Sequence, residues 1–472
     1  MYGKASQSCS PNVRARLEKD KRPSIRHLRI ASRNSSETCE AGINEGNPRP
    51  TFSQQRIVPD TQMLRNANFR MNPETNLIVL CARTFLCNSE ISVLRSALAE
   101  PLNWSVLEQN AENHAVMPLV ASVLNQFAAE LIPQDRRKRL RDRLLRAARN
   151  NLAWVQEWLK ILKALAEAGI PVISFKGPTL GLMAYRNLAL REFTDLDLLV
   201  QPCDVLKTRD VLVRNGYVLD SIVLNHTDAA LTHSSNRQIS FTKEERGITI
   251  DLHWGVLHET FSFQLEVGQL FELAFVERHE QISFLALSPE HLLLFLCAHG
   301  TKHCWSNLGW LCDVACHVQS NPNLDWDLCI RLAEPAGCEL VLKHSLLLTG
   351  QVLGLELPGP ISQYASHDTK AHMLAKRAQT FLFRENDDRS RYLDDRSRYL
   401  EVLRYRLAFA KGWRWRNGAA VVFGRAFVPN EADWHWVRLP RPLYFLYYLV
   451  RPVRLVVERL SVRRVHRDER WW

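Results

Sequence analysis

The chain has 472 residues, 46% hydrophobic and 24% charged, a composition that suits a soluble globular protein of two or three domains. Its formal net charge of +11 sits at the ends: residues 1–70 hold 13 Lys/Arg against 6 Asp/Glu, residues 451–472 hold 7 against 3, and the stretch between is neutral. A domain that tracks a polyanion carries positive charge on its binding surface, so this distribution speaks against nucleic acid and leaves anionic membrane surface or solubility as uses for the tails.

Residues 1–70 are rich in Ser, Asn, Arg and Pro without periodicity, and read as a disordered basic extension or as a start codon assigned too far upstream. From 71 to 168 the pattern is helical. "RDRLLRAARNNLAWVQEWLKILKALAEAG" repeats apolar residues at three- and four-residue spacing and stops at Gly169. "IPVISFKG" then reads as a buried strand, and "PTLGLMAYRNLAL" as a helix with Pro178 in its first turn. "FTDLDLLV" reads as a second strand and "DVLKTRDVLVRNG" as a helix closing at Gly216. "RQISFTKEERGITIDLHW" reads as two strands around a polar turn. Helices return past residue 285, and "DDRSRYL", repeated in tandem over 387–400, reads as a solvated helical face or loop insertion. The expected fold is α+β: a small mixed β-sheet core over 169–256, a helical region on either side at 71–168 and 257–440, and a basic aromatic amphipathic tail at 441–472. No run approaches the roughly 20 apolar residues of a membrane span, and no early run has a secretory make-up. The 11 cysteines lack framework spacing, which implies reduced thiols and a cytoplasmic setting.

Two carboxylates, Asp195 and Asp197, interrupt "FTDLDLLV". On a strand they share a face about 7 Å apart. Crowded like charges near apolar neighbours are costly unless a cation sits between them; otherwise they mark a strand end facing water. Asp251 in "ITIDLHW" supplies a third carboxylate if the strands are adjacent. Three acidic ligands suit hard ions such as Mg²⁺, and paired ions can stabilise both oxygens of an in-line phosphoryl displacement. Replacing Asp197 by Asn is then expected to relieve repulsion in the metal-free protein.

The arrangement of Lys176-Gly177, Tyr185, Arg191, Asp195-Leu196-Asp197-Leu198-Leu199-Val200 and Asp251-Leu252-His253-Trp254 resembles an uncharacterised bacterial nucleotidyltransferase family within the polymerase-beta-like superfamily. The resemblance takes in "AHGTKHCWSNLGWLCDVA" and, more loosely, "LPRPLYFLYYLVRPVRL", and so spans roughly 75–460. It implies transfer of a nucleoside monophosphate from a nucleoside triphosphate to a hydroxyl of a small molecule, saccharide or peptide, with Mg²⁺ or Mn²⁺ held by Asp195, Asp197 and Asp251. Lys176, Gly177, Thr179 and Arg191 would bind the nucleotide, with His253, Tyr185, His299 and His303 as auxiliary residues. Arg191 has pairing with Glu192 as its competing role. Much of the superfamily has Gly-Ser where this chain has Gly177-Pro178, which removes a backbone donor and leaves Lys176 or Thr179 to compensate.

That departure motivates a second reading, a catalytically silent nucleotide-binding scaffold; the basic tails motivate a third, an RNA-binding or RNA-modifying protein. His299 and His303, spaced i and i+4 beside Cys297 and Cys304, fit a zinc site or histidines lining a cleft. The carboxy-terminal helix fits packing on the protein's own core or peripheral contact with the inner membrane face.

Overall fold

In the computed structural model, the described residues are 72–219, 237–256, 265–279, 282–384, 396–409 and 439–468, with isolated positions between 427 and 437. The basic extension and the first copy of the tandem repeat lie outside them; the second copy runs into the helix Arg396–Leu407.

The helix Gln134–Glu167 turns Val155, Trp158, Ile161 and Leu165 inward at the spacing read from the sequence. It stops at Gly169, whose φ of +66° lets its N–H reach the Ala166 carbonyl (3.0 Å) and the Ile170 N–H reach that of Leu165 (2.9 Å). This Schellman closure satisfies carbonyls that would otherwise lack partners and feeds the chain straight into the first strand.

Seven strands follow: β1 Val172–Ser174, β2 Leu196–Val200, β3 Val218–Leu219, β4 Gln238–Lys243, β5 Ile248–His253, β6 Phe275–His279 and β7 Ile282–Ala286. They form one mixed sheet in the order β3-β4-β5-β2-β1-β7-β6. β2 runs antiparallel to β1 and parallel to β5, and β7 runs parallel to β1. The fold is α+β as expected, and the sheet extends past residue 256. "FVERH" and "ISFLA" are too short to declare themselves by period alone.

Alternation along the strands sorts the sheet's two faces. Leu196, Leu198, Val200, Ile248, Ile250 and Leu252 pack with the Gln134–Glu167 helix. Ile173, Phe175, Leu199 and Leu285 join the larger core built by helices Pro73–Cys81, Met117–Phe127, Pro289–Lys302, Leu308–Ser320 and Glu339–Leu353. Asp197, Asp251 and His253 share this second face by parity with Leu199. They therefore lie between sheet and helical layer. No disulfide joins the nine described cysteines, and no described helix is long and apolar enough to cross a membrane.

The helical layer buries His317 and His344 completely. Burial lowers their pKa from 6.5 to about 4 and about 3 respectively. The unfolded chain therefore takes up protons first, so this stability is full above pH 6.5 and is lost as pH falls toward 3–4. We expect the unfolding free energy from urea titrations to drop between pH 6.5 and 4.5, by up to about 1.4 kcal/mol per pH unit for each histidine. A flat profile would contradict their burial as neutral imidazoles.

Candidate active site

The turn after β1 fixes the first functional group. Gly177 adopts φ +53° and ψ −127°, a conformation open essentially to glycine alone, and a Cβ there would stand 3.1 Å from the Asp195 carbonyl oxygen. The turn thus packs directly on the segment entering β2, which brings Lys176 over Asp197. Pro178 occupies the first turn of the short helix Pro178–Met183, as expected. Thr179 is fully buried, and its hydroxyl pairs with Ser174 Oγ at 2.6 Å, which also accepts from Trp158 Nε1 at 2.9 Å. Its side chain is committed to the interior, so Lys176 is the cation the turn presents.

Strand register brings the carboxylates together. Asp197 lies opposite Asp251 across the parallel β2–β5 pair, and His253 lies opposite Leu199. One ligand atom from each of Asp197, Asp251 and His253 lies within 4.8 Å of the others. Asp197 is 3% exposed; its Oδ1 accepts from Lys176 Nζ at 3.1 Å and lies 3.2 Å from His253 Nε2, while its buried Oδ2 has no hydrogen-bond partner. Asp251 accepts from Ser240 Oγ at 2.6 Å and Gln238 Nε2 at 3.2 Å, both on β4. The sequence reading did not single out Ser240 or Gln238, which become visible once β4 is paired with β5.

Asp195 stands one residue before β2, outside this three-residue cluster, but its titration reports the same field. Burial and the Asp197 charge push Asp195 above the ordinary carboxylate range. Burial opposes the charge on Asp197 too, yet Lys176 and His253 hold it well below that range. On Lys176, burial is outweighed by Asp197 and Asp195, which raise its pKa. The Lys176 contact changes what is expected of an Asp197→Asn protein. Lys176 already offsets the crowding, and removing the Asp197 charge strands a buried ammonium. The donor set fits a divalent ion: ligand atoms of both carboxylates lie within 4.8 Å of each other, one buried Asp197 oxygen has no hydrogen-bond partner, and Asp251 is held by two hydrogen bonds. Carboxylate oxygens suit Mg²⁺ or Mn²⁺, whereas His253, a softer donor, suits the task of orienting Asp197.

Arg191 is engaged elsewhere. Its Nε and one terminal nitrogen fork onto Asp313 at 2.8 and 3.1 Å, and Tyr185 Oη donates to the same carboxylate at 2.7 Å. Glu192, the partner weighed from the sequence, is exposed. Burial disfavours the Arg191 charge, but Asp313 outweighs that and raises its pKa. Asp313 was not picked out from the sequence, although a lone carboxylate in the apolar run "LGWLCDVAC" is a signal, since a buried charge needs a partner.

His299 and His303 sit at the end of the helix Pro289–Lys302 with ring centroids 4.8 Å apart, and His303 lies 5.0 Å from Trp310. Phe295 links His299 to Phe175, which in turn packs on His253. The two histidines thus line the wall next to the carboxylates. Burial, with Lys176 and His303 nearby, depresses His299 well below its usual value; burial and Lys302 take His303 to about 3. Cys297 is buried in the helical core. Among the described residues, the metal-capable group is Asp197, Asp251 and His253, away from the cysteines. Lys302 is a further cation of the site. Burial and the like charges of Lys176 and Arg406 lower its pKa, while the charges of Asp197 and Asp251 oppose that shift.

Residues 100–354 match the family described as uncharacterised nucleotidyltransferase, and the chain belongs to that family. The matched region holds the whole sheet, the carboxylates and Asp313, and ends at Gly354, short of the 75–460 span expected from motif likeness. No curated protein matches the chain.

The Arg191–Asp313 fork ties the site's turn region to the helical layer. Breaking one partner of a buried pair leaves the other uncompensated. We expect Asp313→Ala to lose about 3–5 kcal/mol in urea unfolding, and the double change Arg191→Met with Asp313→Leu to lose distinctly less. A single-variant loss below about 1 kcal/mol would mean the fork is not a structural tie.

Proposed function

We propose that this protein transfers a nucleoside monophosphate from a nucleoside triphosphate to a hydroxyl of a small molecule, saccharide or peptide, with Mg²⁺ or Mn²⁺. The observation that carries this reading is the Asp197–Asp251 register, which brings an oxygen of each carboxylate within 4.8 Å of the other, with one buried Asp197 oxygen left without a partner. Asp197 and Asp251 would hold the ion, with Asp195 at the rim. The ion supplies charge stabilisation on the phosphates worth several kcal/mol. Lys176 and Lys302 neutralise phosphate charge from two sides. Asp251, oriented by Ser240 and Gln238, takes the proton of the attacking hydroxyl. The acceptor oxygen bonds to the α-phosphorus as the α–β bridge breaks, and pyrophosphate leaves. His253 positions Asp197. Arg191 and Tyr185, committed to Asp313, brace the site from behind. The reading places the protein in the cytoplasm.

A second reading has its own support. Pro178 removes a backbone donor and Thr179 turns inward, so the turn offers fewer phosphate contacts than Gly-Ser would. Melting with Mg²⁺ and each nucleoside triphosphate, together with pyrophosphate release across varied acceptors, separates the two. Wild type is expected to gain about 2.7 kcal/mol at a nucleotide concentration 100 times its Kd, and to release pyrophosphate with a suitable acceptor. Stabilisation without release would favour the silent scaffold; strongly salt-dependent RNA binding that survives removal of both tails would favour the RNA reading. In Asp197→Asn, nucleotide stabilisation should vanish and turnover should fall about 100-fold or more. An unchanged nucleotide shift in that variant would sink the site assignment.

Lys302 gives an independent check. Replacing it with Met should raise KM for the triphosphate about tenfold, the loss of one charged contact, and leave the urea midpoint unchanged. A KM equal to wild type would remove Lys302 from the nucleotide's surroundings.

A further inference from the structure

The helix Tyr447–Asp468 is attached to the protein by its polar side. Tyr447 Oη donates to the Val437 carbonyl at 2.9 Å and accepts from the Leu439 N–H at 3.0 Å. Arg454 Nε and Arg451 donate to the fully buried Asp433 at 2.6 and 2.9 Å. Positions 447, 451 and 454 share one helical face, so these contacts fix which way the helix is rolled. The apolar residues are left on the outside: Tyr448 is 52% exposed, Leu449 61%, Val453 53% and Val456 56%, with Phe445 at 64% just ahead of the helix. The helix therefore packs through Tyr447 and Arg454, and these apolar side chains do not take part in that packing.

We propose that this outward face docks on an anionic lipid surface, with the helix lying in the plane of the headgroups. Charge selects this occupant. No Asp or Glu occurs between residues 434 and 457, Asp433 offsets one of the two charges of Arg451 and Arg454, and the sequence continues with Arg459, Arg463, Arg464, Arg467 and Arg470 against Glu458, Asp468 and Glu469. An apolar stripe with Tyr and Phe beside a run of arginines fits the acyl–headgroup boundary of anionic bilayers. The same positive charge on a second copy would oppose self-association through this face.

The test uses the full chain sedimented with vesicles of phosphatidylcholine alone, or with about one third phosphatidylglycerol. Wild type should partition into the anionic vesicles about tenfold or more above the neutral ones, and less so at high salt. The variant Leu449→Ser/Val453→Ser/Val456→Ser changes only residues more than half exposed. It should melt like wild type and lose about tenfold in partitioning; Leu449→Glu serves as a single-site alternative. Equal partitioning by either folded variant, or no wild-type binding to anionic vesicles, overturns the proposal. So does a dimer that the triple variant dissolves without any lipid binding, which would assign the face to a second copy.

Discussion

The structure depends on one register: Asp197 on β2 stands opposite Asp251 on the parallel β5. A buried and a half-buried carboxylate that close are unfavourable unless positive charge compensates them. Much of what surrounds them supplies or organises that compensation. Lys176 lies on one oxygen of Asp197, and Gly177 permits the turn that puts it there. Ser240 and Gln238 hold Asp251 from β4. The remaining Asp197 oxygen, buried and without a partner, is the feature that purely structural pairing does not explain.

The sheet alone does not complete the site. The other wall belongs to the helical layer, which contributes Lys302, His299 and His303 at the end of one helix and Asp313 within the next. Asp313 accepts from both Arg191 and Tyr185, so the segment entering β2 is tied to that wall by a buried charged fork. Sheet and helices therefore share one electrostatic unit. Burial lowers the pKa of both Lys302 and His303, with the like charges of Lys176 and Arg406 adding to it on Lys302 and the Lys302 charge adding to it on His303. Such a wall is suited to a polyphosphate.

Much of this was legible in the sequence because it rests on short-range pattern. The "FTDLDLLV" and "ITIDLHW" runs show the carboxylates breaking apolar alternation, and the glycine stops mark the helix ends. What was not legible depends on contacts distant in sequence. The Arg191–Asp313 fork spans 122 residues, and nothing local distinguishes it from a pairing with Glu192. Thr179 reads as a phosphate ligand by position, but its hydroxyl is taken by Ser174, a choice set by β1's facing. The roll of the carboxy-terminal helix was equally hidden, because it is decided by Asp433, outside the helix. Asp195 illustrates a boundary effect: β2 begins at Leu196, three residues into the "FTDLDLLV" run, which leaves Asp195 just outside it.

The account's central claim is that a divalent ion binds between Asp197 and Asp251 together with the nucleotide's phosphates. Anomalous diffraction from crystals grown with Mn²⁺ and a non-hydrolysable nucleoside triphosphate tests it most directly. The account predicts an Mn²⁺ peak about 2.0–2.6 Å from carboxylate oxygens of both residues, with the triphosphate between Lys176 and Lys302. A nucleotide bound elsewhere, or Asp197 still closed on Lys176 with no ion at the pair, would contradict it.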